Sequence, residues 1–196
     1  MSFINYANRE INCRIVYCGP GLSGKTTNIT QVFRNANPNL RGKLLTLNTE
    51  MDRTLFFDFL PLELGTIAGF NIRFHLYTVP GQVYYEASRR LILKGSDGLV
   101  FVADSQKDRM DANQEAIRDL LENLKVYNID FQEIPYVLQL NKRDLDEIHD
   151  KEVLVRELRI NSEPIYEAVA TLNQGVRETL TDVARQVLRK LKAEMQ

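Results

Sequence analysis

The stretch Gly19-Pro20-Gly21-Leu22-Ser23-Gly24-Lys25-Thr26 limits what this chain can fold into more than any other. An apolar run, residues 11–18, precedes it, and a helical pattern begins at Lys25. Strand, glycine-rich loop and helix, in that order, make a phosphate-binding loop. The glycines admit backbone conformations closed to other residues and let the chain approach a phosphate with no Cβ in between. Loop N–H groups and the positive end of the next helix then face an anion. Gly19, Gly21, Leu22, Ser23, Gly24, Lys25, Thr26 and Thr27 are therefore the expected phosphate contacts. Lys25 should reach the β- and γ-phosphates, and Thr26 should offer its hydroxyl to Mg²⁺.

Such a loop calls for an α/β sheet around it, and the remaining sequence supplies one. Residues 44–47, 53–60, 71–78, 98–103, 135–140 and 165–170 read as strands, the second preceded by the polar loop 48–52. Gly69-Phe70 suggests a tight turn ahead of residues 71–78. The run Gly-Leu-Val-Phe-Val-Ala at 98–103 is apolar at every position, as a strand buried on both faces must be. Ala112, Ala116, Ile117, Leu120, Leu121 and Leu124 recur at helical spacing, as do Leu180, Val183, Val187, Leu188 and Leu191. Repeated strand–helix units imply a doubly wound, mostly parallel sheet with right-handed crossovers and helices on both faces. Ligands of such sheets bind at the carboxyl ends of the strands. Residues 1–196 show no linker and no repeat, and so read as one domain.

A phosphate loop does not by itself choose a base. Asn141-Lys142-Arg143-Asp144, directly after the strand 135–140, does. Guanine presents N1–H and a 2-amino group side by side, and the Asp144 carboxylate can accept both. Adenine offers no donor at either place, so it would leave a polar group unmatched at a cost of several kcal/mol. Lys142 can lay its methylene stem on the base, and Asn141 can tie this loop to the phosphate loop. Val169-Ala170-Thr171 follows the final strand, where a backbone N–H of Val169 or Ala170 can meet guanine O6. GTP, GDP and Mg²⁺ are thus the expected ligands.

Thr78-Val79-Pro80-Gly81-Gln82 ends another strand. There the N–H of Gly81 is placed for the γ-phosphate and Gln82 for an attacking water, with Gly21 close by. Thr54, in the loop that would cover the phosphates, can complete the Mg²⁺ shell. Taken together, residues 19–26, 53–61, 74–82 and 141–144 resemble those of bacterial Ras-like small GTPases of the MglA type, and the similarity runs over nearly the whole chain. The resemblance implies a P-loop fold with a six-stranded sheet and an extra strand at Phe3-Ile4-Asn5-Tyr6 pairing with residues 11–18. It implies a GTP-binding switch, monomeric on its own, that hydrolyses GTP slowly, controls cell polarity or motility and is recruited to a cell pole. It also implies a Roadblock-domain (MglB-like) homodimer as the GTPase-activating partner, with response-regulator-type or adaptor proteins as effectors. Arg53 becomes an arginine finger supplied within the chain, joining Gln82 and Gly21 as the catalytic set. One departure stands out: Thr78 occupies the place of the usual acidic residue that holds Mg²⁺ through water. That substitution keeps a second reading open, a GTP-locked scaffold with negligible turnover. A P-loop kinase for a small metabolite is opposed by residues 141–144 and by the absence of an arginine-rich lid.

Composition removes other classes. A net charge of −1 supplies no field toward nucleic acid or an anionic membrane. No apolar run approaches the roughly 20 residues that span a bilayer. Ser2 stands where N-myristoylation needs glycine, and the last residues form no prenylation box. Cys13 and Cys18 fall on opposite faces of one strand, so they cannot bridge, which fits a reducing cytoplasm. Arg185, Arg189, Lys190 and Lys192 read as a solvated helix face. His75 reads as an ordinary strand histidine. Phe56, Phe57 and Phe59 read as a partner surface beside the switch.

Overall fold

The structure is a computed structural model that describes residues 3–48, 54–79 and 86–194. Its centre is a mixed sheet in which β3 (Leu45–Asn48), β4 (Thr54–Ile67), β5 (Phe70–Thr78), β2 (Glu10–Cys18), β6 (Gly98–Asp104), β7 (Tyr136–Asn141) and β8 (Ile165–Glu167) lie in that order. β5, β2, β6, β7 and β8 are parallel neighbours, and β4 runs antiparallel to β5. The expected body of six strands is therefore β4 to β8 with β2, and β3 extends it at one edge. β1 (Phe3–Asn5) is the extra N-terminal strand: it pairs antiparallel with residues 10–12 of β2, in line with β6, which pairs with residues 15–18.

Several boundaries differ from the sequence reading. β4 runs on to Ile67, because antiparallel pairing with β5 carries it past Pro61 to the turn at Ala68-Gly69. The last strand is shorter than expected and ends at Glu167. There Val169 turns away to exchange backbone bonds with Gln174 (3.1 and 3.2 Å), and Ala170–Leu172 forms a 3₁₀ turn.

Period-two alternation in each central strand feeds two cores. Val100 and Val102 of β6 join one, with α1 (Lys25–Asn35) and α5 (Val176–Glu194) contributing Ile29, Val32, Val183, Val187 and Leu191. Leu99, Phe101 and Ala103 join the other, against α2 (Glu86–Leu93), α3 (Met110–Val126) and α4 (Lys151–Leu158). Cys13 lies in the first core and Cys18 in the second, and neither is in a disulfide. Burial pushes the Cys18 thiol up to about 12, with Lys25 partly opposing. Neither is a reactive cysteine. Arg185, Arg189, Lys190 and Lys192 are exposed as expected.

The chain places β3, β4 and β5 on one side of β2 and β6, β7 and β8 on the other. The strand order therefore reverses between β2 and β6, the crevice where open α/β sheets bind ligands. The loop 19–26 leaves β2 at that point.

Candidate nucleotide site

Gly24 caps α1 with φ +100, a left-handed conformation, and a Cβ there would lie 2.2 Å from Asn141 Nδ2. Gly19 has φ +131, and its Cβ would meet the Val102 carbonyl oxygen at 2.3 Å. Both positions need glycine on two counts, conformation and space. Lys25 is 7% exposed, and its ammonium donates to the carbonyls of Gly19 (3.0 Å) and Pro20 (2.6 Å), so it lies beneath the loop. The first turn of α1 is pinned from behind by a buried amide pair. Asn28 and Gln139 exchange side-chain bonds of 2.9 and 3.0 Å, and Gln139 Nε2 also donates to Thr179 Oγ1 at 2.9 Å. This network joins α1, β7 and α5 with its polar atoms satisfied, which makes it a rigid mount.

Asn141 links the two halves of the site. It is 2% exposed, donates from Nδ2 to Ser23 O (2.8 Å), and accepts at Oδ1 from the Ala170 N–H (3.0 Å). Asn141→Ala orphans both of those buried backbone groups at once. It should lower stability by about 2–4 kcal/mol. Urea denaturation measures this, and a loss under about 1 kcal/mol would mean the tie is dispensable.

The rest of the base loop is clamped to neighbouring strands. Arg143 donates its N–H to Ala168 O (3.1 Å), Nε to Glu167 Oε2 (3.0 Å) and Nη1 to His149 O (2.8 Å). Lys151 pairs with the other Glu167 oxygen at 3.0 Å, and this bond, with Arg143 beside it, holds the Glu167 carboxyl below the usual range. Lys142 adopts φ +66 and donates Nζ to Asp104 Oδ2 (2.7 Å) and Gln106 Oε1 (2.9 Å). Its stem is thereby stretched from the end of β7 to the end of β6. Asp144 is exposed, and among the described residues its carboxylate has no partner. A charged acceptor held out on a braced loop can take a pair of donors.

The structure thus brings together the residues 19–27, Asn141, Lys142, Asp144, Val169 and Ala170 at one edge of the sheet. It gives Val169 and Ala170 a further task, since their N–H groups already reach Gln174 O and Asn141 Oδ1. Arg53, Gly81 and Gln82 lie outside the described residues, as do the side chains of Thr54, Phe56, Phe57 and Phe59. Thr26 is half-buried in the first turn of α1. A hydroxyl there suits Mg²⁺ completed by phosphate and water oxygens. Among the described residues no cluster of His, Cys, Asp and Glu would hold a metal unaided. His75 is 2.7 Å from Asn12 Oδ1 through Nε2, and burial, with Arg73 and Arg14 adding to it, lowers its pKa.

Comparison with known proteins decides the family. The family model described as the ADP-ribosylation factor family matches residues 2–187. The chain belongs to the ADP-ribosylation factor family of small GTPases. A mutual gliding-motility protein, MglA of Myxococcus xanthus (strain DK1622), is 57% identical over 192 residues, which is 98% of each chain. An uncharacterized protein of Methanocaldococcus jannaschii, MJ1339, is 32% identical over 92 residues, 47% of this chain and 54% of that one. The Ras-like fold and the MglA resemblance read from the sequence both hold, and membership implies that the chain binds a guanine nucleotide.

Within this family site, sequence reasoning passed over Asp104 and Arg109. Asp104 is fully buried, and its backbone is capped at both ends by Asn113, through bonds of 2.9 and 2.8 Å. An acidic residue closing an apolar strand, at the edge where ligands bind, was the available signal. Arg109 stands beside it in the 3₁₀ turn Lys107–Arg109.

Proposed function

We propose that this protein is a GTP-binding switch that hydrolyses GTP slowly and, in its GTP form, recruits effectors controlling motility or cell polarity. The observation that carries the reading is the Asn141 side chain, which joins Ser23 of the phosphate loop to Ala170 of the base-side turn while Asp144 stays open to a ligand. The near full-length relative named for gliding motility supports the cellular role.

In this reading Lys25 and the backbone N–H groups of the loop, Pro20 apart, hold the phosphates, and Asp144 and Lys142 hold the base. The Ala170 N–H serves guanine O6 as a shared bond with Asn141. Thr26 and Thr54 would hold Mg²⁺, which would supply positive charge to the phosphate chain. Gly81 donates to the γ-phosphate, Gln82 orients the attacking water, and Arg53 stabilises charge in the transition state. Thr78 is 1% exposed and brings a neutral hydroxyl where an acid is usual, which favours weaker retention of the ion. A Roadblock-domain homodimer, by fixing the positions of Arg53 and Gln82 against the nucleotide, acts as the activating partner. The protein works as a cytoplasmic monomer, and among the described residues no helix is long and apolar enough to cross a membrane.

Turnover of GTP with and without a Roadblock-domain partner, with ATP as control, tests this. Intrinsic turnover should be on the order of 10⁻⁴–10⁻² s⁻¹ and rise with the partner. A preference for ATP would overturn the reading. No stimulation and no intrinsic turnover would leave the locked scaffold in its place.

A further inference from the structure

Arg109 is the one described cation outside residues 19–27 that the structure joins to the phosphate loop. Its Nη2 donates to the Gly21 carbonyl at 2.9 Å. Its Nε lies 3.7 Å from Asp104 Oδ2, the same oxygen that accepts Lys142 Nζ at 2.7 Å. A single buried carboxylate therefore anchors both the lysine of the base loop and the arginine that grips the phosphate loop.

The gripped carbonyl belongs to an unusual peptide. Gly21 C=O and Leu22 N–H form one planar trans unit, so the two bonds point in opposite directions. Holding the carbonyl toward Arg109 turns the Leu22 N–H to the far side, among the amides that face phosphate in such a loop. Leu22 takes φ +66 in this arrangement, a conformation that glycine adopts freely and leucine does not. Its side chain is 88% exposed, so packing does not hold it there. Rotating the Gly21–Leu22 peptide by half a turn would return Leu22 to negative φ. It would also aim a carbonyl oxygen at the phosphates and remove an N–H from them.

We propose that Arg109 is a positioning residue for the nucleotide: braced by Asp104, it holds the Gly21 carbonyl and so keeps the strained Leu22 amide turned toward the phosphate chain. The role rests on the nucleotide reading above and deepens it, because nucleotide release becomes coupled to the orientation of one peptide. The coupling extends to the base loop, since Lys142 shares the Asp104 oxygen. Losing Arg109 frees the peptide to turn. With glycine at 22 the inward orientation carries no strain, and the brace matters far less.

Release of fluorescently labelled GDP from the full-length protein tests this. Arg109→Ala and Arg109→Gln are each made in the wild-type and Leu22→Gly backgrounds, with thermal melting to verify folding. Arg109→Ala should speed release about tenfold in the wild-type background, the worth of a charge-assisted hydrogen bond. In the Leu22→Gly background the same change should alter release less than about twofold. Arg109→Gln loses the ion pair with Asp104 and takes the alanine variant's place should that one fail to fold, under the same two-background comparison. An unchanged release rate in the wild-type background, or an equal ratio in both backgrounds, overturns the role, since a general structural brace would ignore residue 22. Wild-type protein that binds no labelled GDP overturns the nucleotide reading and this inference with it.

Discussion

Changing Asp144 to alanine should lower the affinity for GDP about a thousandfold and leave the melting temperature nearly unchanged. The two halves of that expectation come from one fact. Asp144 is exposed and unpartnered among the described residues, so no part of the fold depends on its carboxylate. The neighbours carry the structural work instead: Asn141 ties the loops, Lys142 reaches Asp104, and Arg143 is clamped by Glu167 and by the Ala168 and His149 carbonyls. A carboxylate on a braced loop has lost little freedom still to be given up on binding, so each bond to guanine contributes close to its full worth. Two charge-assisted bonds at about 1.5–3 kcal/mol each span roughly two to four decades of affinity. Calorimetric titration with GDP and with ADP checks this. Weak ADP binding should be untouched by the change. GDP binding equal to wild type would remove the carboxylate from the site, and the choice of base would need another source.

Asp144 and Asn141 also show which parts of the site the sequence made legible. Both follow a strand of apolar residues in a doubly wound pattern, and that placement directs them to the ligand edge. The fold was legible for a similar reason: residues 98–103 and 135–140 are nearly continuous apolar runs, and only a strand covered on both faces uses such a run. What stayed hidden was the polar scaffolding. Gln139 sits inside the run Val137-Leu138-Gln139-Leu140, and periodicity alone does not announce that it bonds Asn28 of α1. Asp104 and Arg109 come together because a 3₁₀ turn folds the chain back toward the loop 19–26, and side-chain reach across a turn has no signature in spacing. The end of the last strand was misplaced for a related reason. Ile165 to Ala170 reads as one strand by composition, but Val169 pairs with Gln174, a partner set by the return of the chain.

Arg53→Ala should reduce partner-stimulated GTP turnover by about three orders of magnitude while GTP affinity changes only severalfold. As γ-phosphate transfers to water, negative charge grows on the oxygens around the breaking bond, and catalysis consists mostly of placing positive charge there beforehand. Lys25 supplies one cation from beneath the loop, where the Gly19 and Pro20 carbonyls orient it. In the proposed reading, Thr78 brings a buried hydroxyl where a carboxylate would tighten the hold on Mg²⁺, so charge brought by side chains counts for more. Arg109 is engaged with Asp104 and Gly21. The resemblance of residues 53–61 to MglA-type proteins implies that Arg53 supplies that charge, and the proposed function rests the catalytic cation on it. An arginine finger contributes about 10³–10⁵ in rate, and an interaction formed only in the transition state lowers kcat without weakening ground-state binding. Single-turnover hydrolysis with saturating Roadblock-domain partner, set beside GTP titration of the same variant, separates those two effects. Near-normal stimulated turnover in Arg53→Ala would assign the catalytic cation to the partner.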